Sequence, residues 1–142
     1  MPTGFQELRA GRGFVGRLET GSDLVGEIEQ FCLQQSVVAA QVTVVGAMQR
    51  VAYAYYDQEA KRYLELASET HHEMVSFVGN VSLRDDRPFL HAHASFADRD
   101  GAVVGGHLVR GCDVWVAEVF IREVSGVELV RMPDETTGLA LW

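Results

Sequence analysis

Cysteine is nearly absent: the 142-residue chain holds 2, Cys32 and Cys112, far apart and in no Cys-x-x-Cys pair. This excludes a disulfide framework and a thiolate zinc site, and both residues read as buried, reduced thiols. Proline is also scarce, at 3 residues, while 47% of the chain is hydrophobic and 23% charged. That balance favours a globular fold over disorder. Positive charge is in deficit: 12 Lys and Arg stand against 20 Asp and Glu, for a formal net charge of -8 with no local basic patch. A chain of this charge repels phosphate backbones and anionic lipid surfaces. No segment approaches the roughly 18 apolar residues of a membrane span. The opening stretch MPTGFQELRAGRGFVGRLETG has no apolar core of signal-peptide length. The expectation is a cytoplasmic protein.

What is present fits one domain over residues 1–142, long enough to bury a real core. In GSDLVGEIEQFCLQQS, Leu24, Val25, Ile28, Phe31 and Cys32 recur at the spacing of one helical face. Ser22 or Asp23 can cap this helix, and Asp23, Glu27 and Glu29 suit its dipole. Most other segments read as strands: FVGRLE, AAQVTVV, VAYAYYD, RYLELA, EMVSFVGNVSL, FLHAHASFA, AVVGGHLV, DVWVAEVFIREV and VELVRM. Short punctuators such as DDRP and DRDG join them, which favours antiparallel hairpins. The predicted fold is α+β: a mainly antiparallel sheet covered by one principal helix. Strands such as VWVAEVFI are apolar on both faces, more than one helix can cover. Either copies of the chain associate or the sheet curls into a barrel. Leu139, Leu141 and Trp142 in the tail PDETTGLALW also need a partner surface.

The chemistry concentrates in FLHAHASFADRDGAVVGGHL. On a strand, His91, His93 and Ser95 point one way and Leu90, Ala92, Ala94 and Phe96 the other. If Asp98 pairs with Ala102 around a three-residue loop closed by Gly101, counting back sets His93 opposite His107. Opposed residues share a face with Cβ atoms about 4.5–5.5 Å apart, and the diagonal neighbour His91 lies about 7–8 Å away. A four-residue loop pairing Ala97 with Ala102, or a bulge at Gly105-Gly106, would turn His107 to the other face. With matching parity, the three imidazoles suit a divalent metal, zinc first, with iron, nickel or copper as alternatives. Glu118 could complete the site or orient an imidazole from behind; its alternative is a solvent-facing glutamate on an edge strand. His71, His72 and Glu73 do not make a comparable cluster, because adjacent strand residues point apart, and one of the two histidines is expected to be solvated. No serine has a nucleophile-elbow context, neither cysteine has a histidine partner in sequence, and GRGFVG lacks the lysine and strand-to-helix setting of a phosphate loop. No catalytic residue is assigned.

The succession GRLETGSDLVGEIEQFC, AAQVTVVGAMQRVAYAYYD, HEMVSFVGNVSL, LHAHASFADRDGAVVGGHL and AEVFI resembles the plant and prokaryote conserved domain, PPC or DUF296, in its standalone prokaryotic form. The resemblance covers nearly the whole chain, with Gly105-Gly106-His107-Leu108 especially telling. It implies a mixed α/β domain with an antiparallel sheet, a homotrimer, and His91, His93 and His107 as metal ligands. Plant members join this domain to AT-hooks, arms around Arg-Gly-Arg-Pro that enter the minor groove. This chain has only Gly11-Arg12-Gly13-Phe14, so the trimerising domain carries over without the DNA-reading arm. The functional expectation is a homotrimer of metal-binding domains. The alternatives are a DNA-binding or transcription-associated scaffold, and a metal-dependent hydrolase acting on a small molecule between subunits, with Glu118 or another carboxylate moving the proton.

Overall fold

The computed structural model describes residues 4–142. The predicted helix is α1, Leu24–Gln34, and its cap is Asp23. Asp23 Oδ2 accepts from the Gly26 amide at 2.7 Å and Oδ1 from the Gly111 amide at 2.6 Å. One carboxylate thus satisfies an orphan amide of the helix and ties the helix to a distant loop. Leu24, Val25, Ile28 and Cys32 are buried, the stripe expected from their spacing. Each large aliphatic among them stabilises the fold by about 1.5–3 kcal/mol. Phe31 packs edge-on against Phe14 with ring centroids 5.2 Å apart.

Seven strands form one antiparallel sheet: β1 (Arg9–Leu18), β2 (Ala40–Asp57), β3 (Arg62–Ser68), β4 (His72–Arg84), β5 (Arg87–Ala97), β6 (Val103–Leu108) and β7 (Asp113–Ser125). Helix α1 packs against β5 and β7. AAQVTVV and VAYAYYD, expected as two strands, are halves of the single 18-residue β2, whose register breaks between Ala47 and Arg50. The first half pairs with β4 and β7, the second with β3 and β6. β2, β4, β5 and β6 therefore close a circuit of ladders, a partial form of the barrel that sequence left open. Closure does not cover all apolar area: Val15, Val45, Val78, Trp115 and Phe120 remain exposed.

VELVRM is not a strand of its own. Val130 makes an isolated parallel bridge to Leu83 at the end of β4, and Met132–Pro133 (β8) pairs with Ala140–Leu141 (β9). The tail thus folds back on the same chain, leaving Leu141 and Trp142 partly exposed. Both cysteines are buried and free. Burial, the largest cause for each, pushes both thiols up to about 11. Among the described residues no helix is long and apolar enough to cross a membrane.

Candidate metal centre

The β5–β6 hairpin is built from its loop. Asp98 N donates to Ala102 O at 3.0 Å, and Asp98 Oδ1 accepts from the amides of Asp100 and Ala102, each at 2.9 Å. Gly101 has φ +82°, the left-handed conformation that closes a three-residue loop and that glycine adopts without steric cost. The resulting register sets Ala97 opposite Val103 and His93 opposite His107. Gly105 and Gly106 do not bulge. They serve close approach instead: a Cβ on Gly105 would collide with the Ala94 carbonyl, and one on Gly106 would lie 2.6 Å from the Ala54 carbonyl. This lets β6 sit between β5 and the second half of β2, where His107 also faces Ala54.

His91, His93 and His107 consequently converge. Their ring centroids are 5.2–5.6 Å apart in all three pairs. One nitrogen from each lies within 4.8 Å of the others, and these are the only three His, Cys, Asp or Glu residues so grouped among the described residues. A tetrahedral metal at about 2.0–2.1 Å from each nitrogen needs them about 3.4 Å apart. Binding an ion would draw the three nitrogens inward from the 4.8 Å within which they now lie. The chemistry of the donors also fits. Burial, then Arg131 and the other two imidazoles, lowers His91 to about 4. Burial, then His93 and Arg131, lowers His107 to about 4. Both rings are neutral near pH 7 and offer a lone pair.

The surroundings of the triad include residues that sequence did not single out. Tyr63 of β3 packs over His107, centroids 4.7 Å apart and planes at 33°. Arg131 reaches the site from the tail. Its Nη2 donates to Asn80 Oδ1 and to His91 Nδ1, both at 3.3 Å, while Nε donates to Ser82 Oγ at 2.8 Å and Nη1 to Ala140 O at 3.0 Å. Nothing in VELVRM marks this arginine, because its placement depends on the single bridge to Leu83.

Glu118 is not brought to the triad. It is exposed on β7, opposite Arg17 and Val45, with β2 and β4 between β7 and β5. It faces solvent as its alternative reading held, but from an interior strand rather than an edge. His71 is exposed and His72 buried, its Nδ1 donating to Thr70 O at 2.8 Å. A cleft of about 430 Å³ lies at the Gly101 end of the hairpin, lined by Met48, His71, Arg99 and Trp115 among others. A shallow groove along Val78, Val104 and Gly106 reaches His93.

The sequence profile of the Plants and Prokaryotes Conserved (PCC) domain matches residues 5–125. The chain belongs to this family. This PCC domain is similar to a metal-containing protein from Archaeoglobus fulgidus, with 40% identity over 99% of each chain and a TM-score of 0.93. It is similar also to a plant- and prokaryote-conserved protein from Pyrococcus horikoshii, with 37% identity, 100% of this chain and 96% of that one covered, and a TM-score of 0.92. It is 32% identical over 124 residues to the bifunctional protein GlmU of Synechococcus sp. (strain JA-3-3Ab), a match covering 86% of this chain and 19% of that protein. The PCC domain therefore spans about a fifth of the length of that curated relative.

Proposed function

We propose that this PCC domain binds a divalent metal, zinc before iron, nickel or copper, through His91, His93 and His107. The observation that carries the reading is the grouping of one nitrogen from each ring within 4.8 Å. The Archaeoglobus relative, alike over the full chain, is a metal-containing protein, which supports the same property here. When bound by three imidazoles, zinc keeps a coordination position open and supplies Lewis acidity to what occupies it. The chain's own residues do the rest. His91 and His107, held neutral by burial, present lone pairs rather than protons. Tyr63 packs against the His107 ring and covers one of its faces.

We further propose that the domain works as a homotrimer. Val15, Val45, Val78, Trp115 and Phe120 leave apolar strand surface exposed, which association would bury. The shallow groove at His93 gives little enclosure within one chain, so neighbouring copies would supply the walls of the site. Metal content of the purified protein, measured beside His93→Ala together with mass by light scattering, tests both parts. The expected result is a trimer holding about one ion per chain, with the variant losing most of its metal, since removing one of three protein ligands leaves two. Full metal retention by His93→Ala would contradict the ligand set, and a monomeric wild type would contradict the assembly.

A further inference from the structure

Arg131 is 9% exposed, and among the described residues no carboxylate lies within 4.0 Å of its guanidinium. Its partners are all neutral: a hydroxyl, a carbonyl, an amide oxygen and an imidazole nitrogen. Arg84 lies nearby, its guanidinium over the same Phe89 ring at 5.2 Å as Arg131 at 5.3 Å. Its acidic contact is the exposed Asp85, at 3.9 Å. In a chain of net charge -8, this patch beside His91 is locally positive, and a half-buried positive patch concentrates anions.

We infer that the site takes a small carboxylate anion, held between the metal position of the histidine triad and Arg131 Nη2. The inference rests on the metal reading above. Three neutral imidazoles bring no negative charge, so a divalent ion would add its charge to that of Arg131 with nothing to offset either. A buried cation without a counter-ion is costly, and an anion is the natural complement.

Hydrogen bonding points the same way. Nη2 now donates to His91 Nδ1, which requires a lone pair there. Once His91 ligates a metal, Nδ1 is either the ligating atom or carries the ring proton, and in neither case can it accept from Arg131. Nη2 is then left with its 3.3 Å contact to Asn80. Nε and Nη1 stay engaged at 2.8 Å and 3.0 Å. The single N–H released on Nη2 suits one oxygen of a carboxylate, whose other oxygen is left for the metal position, whereas the additional oxygens of a phosphate would find no donor among the engaged Nε and Nη1 bonds.

The test loads the full chain with Co²⁺ and titrates it with sodium acetate at constant ionic strength, reading the visible cobalt bands and the metal content of each sample. The expected result is a saturable spectral change in wild type. Arg131→Met should weaken the apparent affinity at least about tenfold, the loss expected for one charge-assisted hydrogen bond. Arg131→Lys, which keeps the charge, should fall between them and carries the test if Arg131→Met does not fold. Cobalt bands that ignore acetate, or an acetate affinity unchanged in the variants, overturn the anion site and leave the metal reading standing. Tighter binding of inorganic phosphate than of acetate overturns the carboxylate class. A wild type that takes up no cobalt removes the metal reading and this inference together.

Discussion

His93 stands directly across the β5–β6 ladder from His107, and that pairing joins two faces of the account, the closure of the sheet and the convergence of the triad. The same six-residue strand that presents His107 must also slide between two neighbours. Only its paired glycines leave room for that.

The first prediction concerns that room. A Cβ on Gly106 would lie 2.6 Å from the Ala54 carbonyl, a rigid backbone atom, whereas Gly16 has nothing within 4 Å. Gly106→Ala should destabilise the fold by more than about 2 kcal/mol, as backbone-level clashes in a packed sheet do. Gly16→Ala should be neutral or slightly stabilising. Urea unfolding of the two variants beside wild type checks this, and equal midpoints for all three would show that β6 tolerates separation from β2.

A second prediction is the response of the metal-free protein to acid. His91 and His107 fall from the ordinary 6.5 to about 4 on folding, chiefly through burial. The unfolded chain therefore binds more protons than the folded one between those values, so stability rises with pH across the window and is lost as pH falls from about 6.5 toward about 4. Chelator-treated protein should show a falling urea midpoint over that range. His107→Asn should flatten the slope, while a wild-type midpoint that stays level would mean the rings do not lose their charge on folding.

A third prediction separates the metal reading from the DNA-associated alternative. The chain carries net charge -8, and Gly11-Arg12-Gly13-Phe14 lacks an AT-hook's proline. Arg12 is also engaged, through Nε to Glu123 Oε2 at 2.6 Å. Duplex binding should be undetectable at physiological salt. Appreciable affinity there, with a steep loss as salt rises, would restore the DNA-binding reading.

Legibility from sequence followed the distance of the interactions involved. The stripe of Leu24, Val25, Ile28 and Cys32 is local, and so is the Asp98–Gly101 loop, whose parity propagates along the ladder to His93 and His107. Lateral relations were not legible. Glu118 sits in an apolar run, yet its distance from the triad depends on strand order: β2 separates β7 from β6, with Glu118 beside Val45 and His107 beside Ala54, and β2 and β4 separate β7 from β5. Tyr63 and Arg131 reach the site through the second half of β2 and through one bridge at Leu83. No periodicity encodes either. The fusion of two expected strands into β2 is not legible, because Gly46 interrupts the apolar pattern and the register breaks near Met48 leave no mark in the sequence.

Anomalous diffraction from crystals of the purified protein, recorded on both sides of the zinc absorption edge, tests the central claim most directly. The expected peak appears only above the edge, about 2.0–2.1 Å from one nitrogen each of His91, His93 and His107. A map with no peak at the triad, in protein supplied with zinc, would contradict it.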